Sequence, residues 1–431
     1  MATRPLILAV TVSLLLLVDC AKQERRRPLG SNYERVGRAE VWRVLPNSPA
    51  EALGLQPGDV IISYNEEPVQ NFDALEKAIA SGPESQANAP ISIVLLRGEQ
   101  ELTFQARPGS LGLIPIGRKF SGSLALALKD IVEHFNGIVS YDWLAALTGE
   151  SFALSGRPGD CWSWWPGTKD GAYLEEIGSL LGLTFRPVFI SNGPDPATAQ
   201  KQTVNEALPA IRKGLEAGQV LLVKGGWPDE KCHLWGIALS TTGSDTGIGG
   251  GPAVLGYTLD AGQKLPLSGI VEAVFEVKPK PVSEPDPADI MAVALDHALE
   301  LGLAYADTGW KSGLDAYDMV IKSMESVPFC PDRPEESRRC FHRLIWALIA
   351  AKESANRFWI DMKEALPDHT EIIDEIIGEN RAIIGKLEAL AFSKLPFGNL
   401  ESQRKLALTV NEIQLLENEL FGFYEELLGE L

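Results

Sequence analysis

The sequence predicts a multidomain α+β protein. Three observations carry that expectation. The chain has 431 residues, enough for two or three domains that each bury a core. Its middle part reads as helices followed by strands, the order of an α+β layout. From about residue 290 onward, apolar residues recur every three or four positions, which is helical spacing. The composition is that of an ordinary globular chain, 45% apolar, 23% charged and 8% aromatic. A net charge of −19 argues against nucleic acid, because phosphate binding needs clustered Lys and Arg, and no basic stripe interrupts the acidic background.

The first twenty residues, "MATRPLILAVTVSLLLLVDC", hold one Arg, an apolar run from Leu6 to Val18 and a cysteine. That run is short for a membrane span and suits the core of an export signal. "LVDC" resembles a bacterial lipoprotein processing site, which implies lipidation of Cys20 and a mature chain tethered to the membrane in the cell envelope. Asp19 stands where a small residue is expected, and "KQERRR" places more positive charge after the apolar run than before it, so an uncleaved anchor is the competing reading. Export would leave Cys161, Cys232, Cys330 and Cys340, an even number for an oxidising compartment, with three pairings open.

Residues 38–63 read "RAEVWRVLPNSPAEALGLQPGDVIIS". A strand over Ala39–Leu45 meets a Pro-Asn-Ser-Pro turn and a brief helix, and a Pro-Gly-Asp turn then feeds an apolar strand. "NFDALEKAIA" puts Phe72, Leu75 and Ile79 on one helix face, and "PISIVLLRG" and "QELTFQAR" are two more strands. Over about residues 37–108 this resembles the PDZ domains of bacterial envelope proteases, with a sandwich or barrel of strands expected over 37–116. The resemblance implies capture of peptide or protein C-termini by strand addition, the carboxylate resting in a loop of backbone N–H groups. Leu75 and Ile79 would border that groove, or serve only as core. The stub before Ala39 is short and polar for the carboxylate loop. "PGSLGLIPI" at 108–116 is the better candidate, with Leu111, Gly112 and Leu113 at its centre and Gly112 freeing the backbone to approach a ligand. The domain would then be permuted.

From about Phe120 the pattern changes. "SGSLALALKDIVEHFNG" reads as a Ser-capped helix with Leu124, Leu128, Ile131 and Phe135 on one face and Gly137 beyond its end. "SYDWLAALTGESF" and "GAYLEEIGSLLGL" give two more helices, "TFRPVFI" a strand and "VNEALPAIRKGLEAG" a helix. "QVLLVKG", "HLWGIALS", "AVLGYTLD" and "AVFEVKP" are strands. Over residues 120–278 this order resembles papain-like domains related to bacteriocin-processing cysteine peptidases, among them the family of butirosin biosynthesis protein H. The resemblance implies a nucleophile at the start of a helix, a histidine base at a strand start, matched by His233, and an orienting residue, matched by Asp260.

The nucleophile is the difficulty. A thiol gains reactivity at a helix N-terminus, where the dipole favours the thiolate. Ser121 and Ser123 stand there instead. Either could act beside a histidine, yet serine caps helices routinely. Cys161 lies in "GDCWSWWPGT", separated from the next helix by Pro166 and Gly167 and surrounded by tryptophans that raise a thiol pKa. Its readings are a disulfide to Cys232, an inert buried thiol, or the nucleophile. His233 reads as the base or as a strand-capping histidine beside Trp235. Metal binding is not expected, since no C-x-x-C spacing occurs, and nothing calls for a cofactor.

"KPKPVSEPDPAD" at 278–289 makes 279–289 a Pro-rich linker. Helices are expected from 290, over "SGLDAYDMVIKSM", from Glu335 to Leu366, and over about 368–394 and 400–428, forming a bundle over 290–431 packed on the middle domain. "GLDAYDMVIK" resembles the C-terminal part of the same butirosin-related chains. His297, His342 and His369 are scattered and read as structural or surface groups; Cys330 and Cys340, with nine residues between them, are a candidate pair. The leading expectation is an exported PDZ-containing binding protein with a non-catalytic peptidase-like domain. The alternative is a thiol or serine peptidase, or an acyl- or peptidyl-transferase, using His233 with Cys161, Ser121 or Ser123.

Overall fold

The structure is a computed structural model. It describes residues 39–44, 48–56, 58–69, 74–75, 78–79, 90–97, 100–107, 111, 113–115, 122–135, 139–152, 154–156, 172–192, 195–228, 234–243, 247, 251–258, 265–281, 285–304, 306–307, 310–326, 334–391 and 399–431. Cys20, Gly112, Ser121, Cys161, Cys232, His233, Asp260 and Cys330 lie outside the described residues, and so does the signal segment.

The N-terminal unit is an antiparallel sheet built from β1 (Ala39–Val44), β2 (Val60–Tyr64), β3 (Glu67–Pro68), β4 (Ile91–Arg97), β5 (Gln100–Ala106) and β6 (Leu113–Pro115). Its order is β5-β4-β2-β1-β6, with β3 paired to β2. A short helix, α1 (Pro49–Ala52), follows β1; Pro49 begins it and the Ser48 hydroxyl caps it by accepting from Glu51 N. Alternate residues of β4 point inward, and Ile91, Ile93 and Leu95 join Val41, Ile61, Leu75 and Leu111 in a core of their own. Asp59 is fully buried where the Pro-Gly-Asp turn enters β2. It accepts from Gln56 N at 2.8 Å and from the Arg97 guanidinium at 2.8 and 2.9 Å, so the turn is bolted to the end of β4.

The middle region opens with α2 (Ser123–His134) and α3 (Tyr141–Leu147). The face written by Leu124, Leu128 and Ile131 is buried, and Ser140 caps α3 as its position suggests. A two-residue strand, β7 (Ser155–Gly156), α4 (Ala172–Leu181) and β8 (Leu183–Ile190) come next. The helix expected from Val204 is longer than its apolar pattern. Asp195 caps α5 (Pro196–Gln202) by accepting from Ala197 N and Thr198 N, a π-turn (Thr203–Ala207) follows, and α6 (Leu208–Glu216) completes the run. The polar stretch "PATAQKQ" has no buried stripe of its own beyond Ala199, which is why periodicity missed it.

Strands β9 (Val220–Gly225), β10 (Trp235–Thr241), β11 (Val254–Tyr257), β12 (Leu265–Pro266) and β13 (Val271–Pro279) complete a second antiparallel sheet, ordered β12-β11-β10-β9-β13-β8. Every residue of β9 is buried, as a central strand covered on both faces requires. Ile211, Leu208 and Ala207 cover one face. The other face packs on α2, α3 and α4.

The C-terminal part holds α7 (Pro287–Leu299), a π-turn (Glu300–Ala304), a hairpin of β14 (Ala306–Asp307) and β15 (Trp310–Ser312), α8 (Gly313–Ser326), α9 (Pro334–Ala365), α10 (Thr370–Ala391) and α11 (Leu400–Glu430). Strand β13 runs through Pro279 and Asp286 caps α7, so regular structure enters the Pro-rich stretch from both sides. These helices share one continuous core with α2–α4 and the inner face of the second sheet. Arg357 of α9 grips Asp142 of α3 through two bonds of 2.8 Å, and the Trp143 indole donates to Asp361 at 2.8 Å. Among the described residues no helix is long and apolar enough to cross a membrane.

Candidate functional site

β6 lies at the end of the first sheet, paired on one side only to β1, with Val44 opposite Leu113 and Val41 opposite Pro115. Its outer edge is free of any described strand, which leaves backbone N–H and C=O groups for an added strand. Leu111, at the entrance to β6, is 2% exposed, and its carbonyl accepts from Ala50 N of α1 at 3.0 Å. That bond fixes the 111 loop to the helix that follows β1. Leu75 is also 2% exposed and shares the core with Leu111, whereas Ile79 is half-buried at its margin. Leu75 is thus a core residue, and Ile79 is the one of the two that still presents surface. Leu113 belongs to β6.

The second candidate region is the start of α2. Ser123 is 1% exposed, and its Oγ accepts from Trp235 N at 3.1 Å. The bond brings the helix start against the start of β10, two residues beyond His233. Glu150, 2% exposed, occupies the N-terminus of the same helix: Oε1 accepts from Leu124 N at 3.2 Å, and Oε2 accepts from Ala125 N at 2.8 Å and from the Thr148 hydroxyl at 3.2 Å. Burial pushes this carboxyl up to about 7, against the opposing effect of those hydrogen bonds. Gly122 leaves room for it, since a Cβ there would sit 2.1 Å from Oε2. Nearby, the Lys224 ammonium lies 3.4 Å from Glu272 and 5.7 Å from the centre of the Trp235 ring.

Residues 40–88 match the family model described as PDZ domain. This chain contains a PDZ domain. Over 68 residues it is 34% identical to "Serine protease HTRA2, mitochondrial" of Drosophila virilis, a stretch that is 16% of this chain and 15% of that protein. Over 95 residues it is 30% identical to "Putative serine protease HhoA" of Synechocystis, 22% of this chain and 23% of that one. The chain therefore spans less than a quarter of either relative's length.

The PDZ match stops at residue 88, short of the loop at Leu111 and of β6, yet the sheet returns β6 to the side of β1. The other sequence candidates divide. Leu75, Ile79, Leu111 and Leu113 fall in the PDZ unit, with Leu75 and Leu111 in its core and Ile79 packed against it. Ser123 alone of the proposed nucleophiles is described, and its hydroxyl oxygen is engaged as an acceptor. Cys340 lies within α9. Among the described residues no cluster of metal-ligating side chains occurs. Sequence reading missed Glu150, whose only signal is an acidic residue at the end of the buried run "WLAALTGESF". It also missed the Asp59–Arg97 pair, which joins residues 38 positions apart.

Proposed function

We propose that the protein is an exported binder of peptide or protein C-termini, held at the membrane through its N-terminal segment at Cys20. The observation that carries this reading is the edge of β6 that pairs with no described strand, beside the buried Leu111, in a chain whose residues 40–88 match a PDZ domain. A peptide strand added there satisfies the edge groups of β6, and its terminal carboxylate meets the loop before Leu113. The middle domain, papain-like by its order of elements, serves as a scaffold in this reading. Supporting that role, the Ser123 hydroxyl is buried and bonded, and Glu150 already takes up first-turn amides of α2 that would otherwise stabilise an anion.

The test is fluorescence polarisation with labelled peptides ending in an apolar residue. Amidation of the peptide C-terminus should weaken binding about tenfold or more, as should Ile79→Asp at the half-buried groove margin. Equal affinity for acid and amide forms would sink the reading. His233→Ala should leave peptide affinity unchanged.

One observation favours a second reading. The Ser123–Trp235 bond sets a helix start against the strand that follows His233, the relation between nucleophile and base in a papain-like enzyme. In that reading the domain is a thiol or serine peptidase, or an acyl- or peptidyl-transferase, with His233, oriented by Asp260, as base for Ser123, Ser121 or Cys161. Labelling of one of these residues by an acylating or alkylating probe, lost in His233→Ala, would select the enzyme; no labelling selects the scaffold.

A further inference from the structure

One segment, 148–156, touches both the start of α2 and the C-terminal helices, and its described residues, 148–152 and 154–156, are tied at both ends. At its beginning Glu150 binds the first turn of α2, the turn that carries Ser123. Ser151 N donates to Ala145 O at 3.0 Å and Phe152 N to Gly149 O at 3.1 Å, so the chain folds back on α3. The Phe152 ring then enters an aromatic cluster, with its centre 6.4 Å from Phe358, 6.0 Å from Trp359 and 5.4 Å from Tyr424. Its carbonyl lies 3.5 Å from the buried Lys352 ammonium, which pairs with Glu417 at 2.6 Å. Leu154 O accepts from Gly313 N at 2.8 Å, and Ser155 and Gly156 pair with Ser312 and Lys311 of β15. At the α7 end, Gly149 has no space for a side chain, as a Cβ would lie 2.2 Å from Leu301 Cδ1.

We propose that segment 148–156 is a proton-controlled latch in which Glu150 fastens the first turn of α2 to the C-terminal helices, tightest in acid and looser toward neutral pH.

The titratable and charged groups around Glu150 leave its own proton as the controlling one. From α2 and α3 it faces the Thr148 hydroxyl and the backbone N–H groups of Ser123, Leu124 and Ala125, while the Tyr141 oxygen accepts from Gly122 N at 2.8 Å. Asp142 on α3 is occupied by Arg357 and Ser354 of α9. From α7 the His297 ring bonds Leu147 O and lies 3.5 Å from Glu176 of α4. From α9 and α11 come Lys352 and Glu417, bound to each other. Burial dominates the shift of Glu150, and the remaining contributions to it are hydrogen bonds. When the latch opens, the carboxyl reaches water and ionises at the ordinary carboxylate value near 4.5; closed, it keeps its proton up to about 7. Opening therefore releases a proton between those limits, and the equilibrium shifts toward the open form as pH rises through them.

Hydrogen exchange on the full chain tests this from pH 5.5, clear of the isoelectric point near 4.8, up to pH 8. The readout is exchange at Leu124, Ala125 and 148–156, taken as the ratio of wild type to Glu150→Gln at each pH, which cancels the chemistry of exchange. The ratio should rise on the order of twentyfold by pH 7.5 and flatten above it. A ratio flat throughout overturns the latch. Phe152→Leu, which weakens only the far anchor, should speed exchange at Leu124 and Ala125 several-fold at pH 5.5 and leave β4 and β5 unchanged. Unchanged α2 amides in that variant overturn the coupling to the C-terminal helices. Should a variant fail to fold, wild type alone decides: protection of the α2 turn relative to β4 and β5, whose core is separate, must fall with pH, and a constant relative protection rejects the proposal.

Discussion

Asp59 is buried beside a guanidinium, and Glu150 is buried among backbone amides and a hydroxyl. The surroundings of Glu150 set its pH behaviour. Glu150 has a folded-state value of about 7 against an ordinary 4.5, so its contribution to stability is complete below 4.5 and is lost as pH rises to about 7. Between pH 5.5 and 7.5 the loss is about 2 kcal/mol. Urea midpoints of the unit containing α2 should fall over that range in wild type and hold level in Glu150→Gln. Neither carboxylate's partner was readable from the chain. Asp59 could be assigned to a turn from "PGD", but Arg97 lies 38 residues on. Glu150 is 26 residues from Leu124 N, and nothing local announces that contact.

At the level of elements, local chemistry and burial act together. α11 begins at Leu400 because the Asn399 side chain accepts from Glu401 N at 2.9 Å and Ser402 N at 3.3 Å. Asn399→Ala should lower the stability of the C-terminal region by about 1 kcal/mol, read as a shift in its urea midpoint. Helices with a wide apolar stripe, such as α2 and α10, were legible from spacing, because the same residues that repeat every three or four positions are those that pack. α5 was not, since its start depends on the Asp195 cap and its course on continuity with α6. The outer position of β6 could not be read from "GLIPI" either. Any strand may pair on one side or two, and only the sheet order makes this one an edge.

Across the whole molecule, the arrangement of cores predicts how the chain unfolds. The PDZ unit has its own core, whereas α2–α4, the inner face of the second sheet and the C-terminal helices share another. Differential scanning calorimetry should resolve two transitions. Phe152→Ala, which empties a site among Phe358, Trp359 and Tyr424, should destabilise the larger unit by about 3–5 kcal/mol and leave the PDZ transition in place. A shift of both transitions would mean that the two units unfold together.

By itself the sequence determined the PDZ domain, the α+β order of the middle region and the helical tail. Those features are written in turn residues, caps and apolar periodicity, all of which act within a few residues. Only the tertiary structure decided that β6 is an edge, that Glu150 closes the first turn of α2, and that the tail and the middle region bury one surface in common. Each of these depends on which distant segment lies opposite, and that is settled by the packing of whole faces against one another.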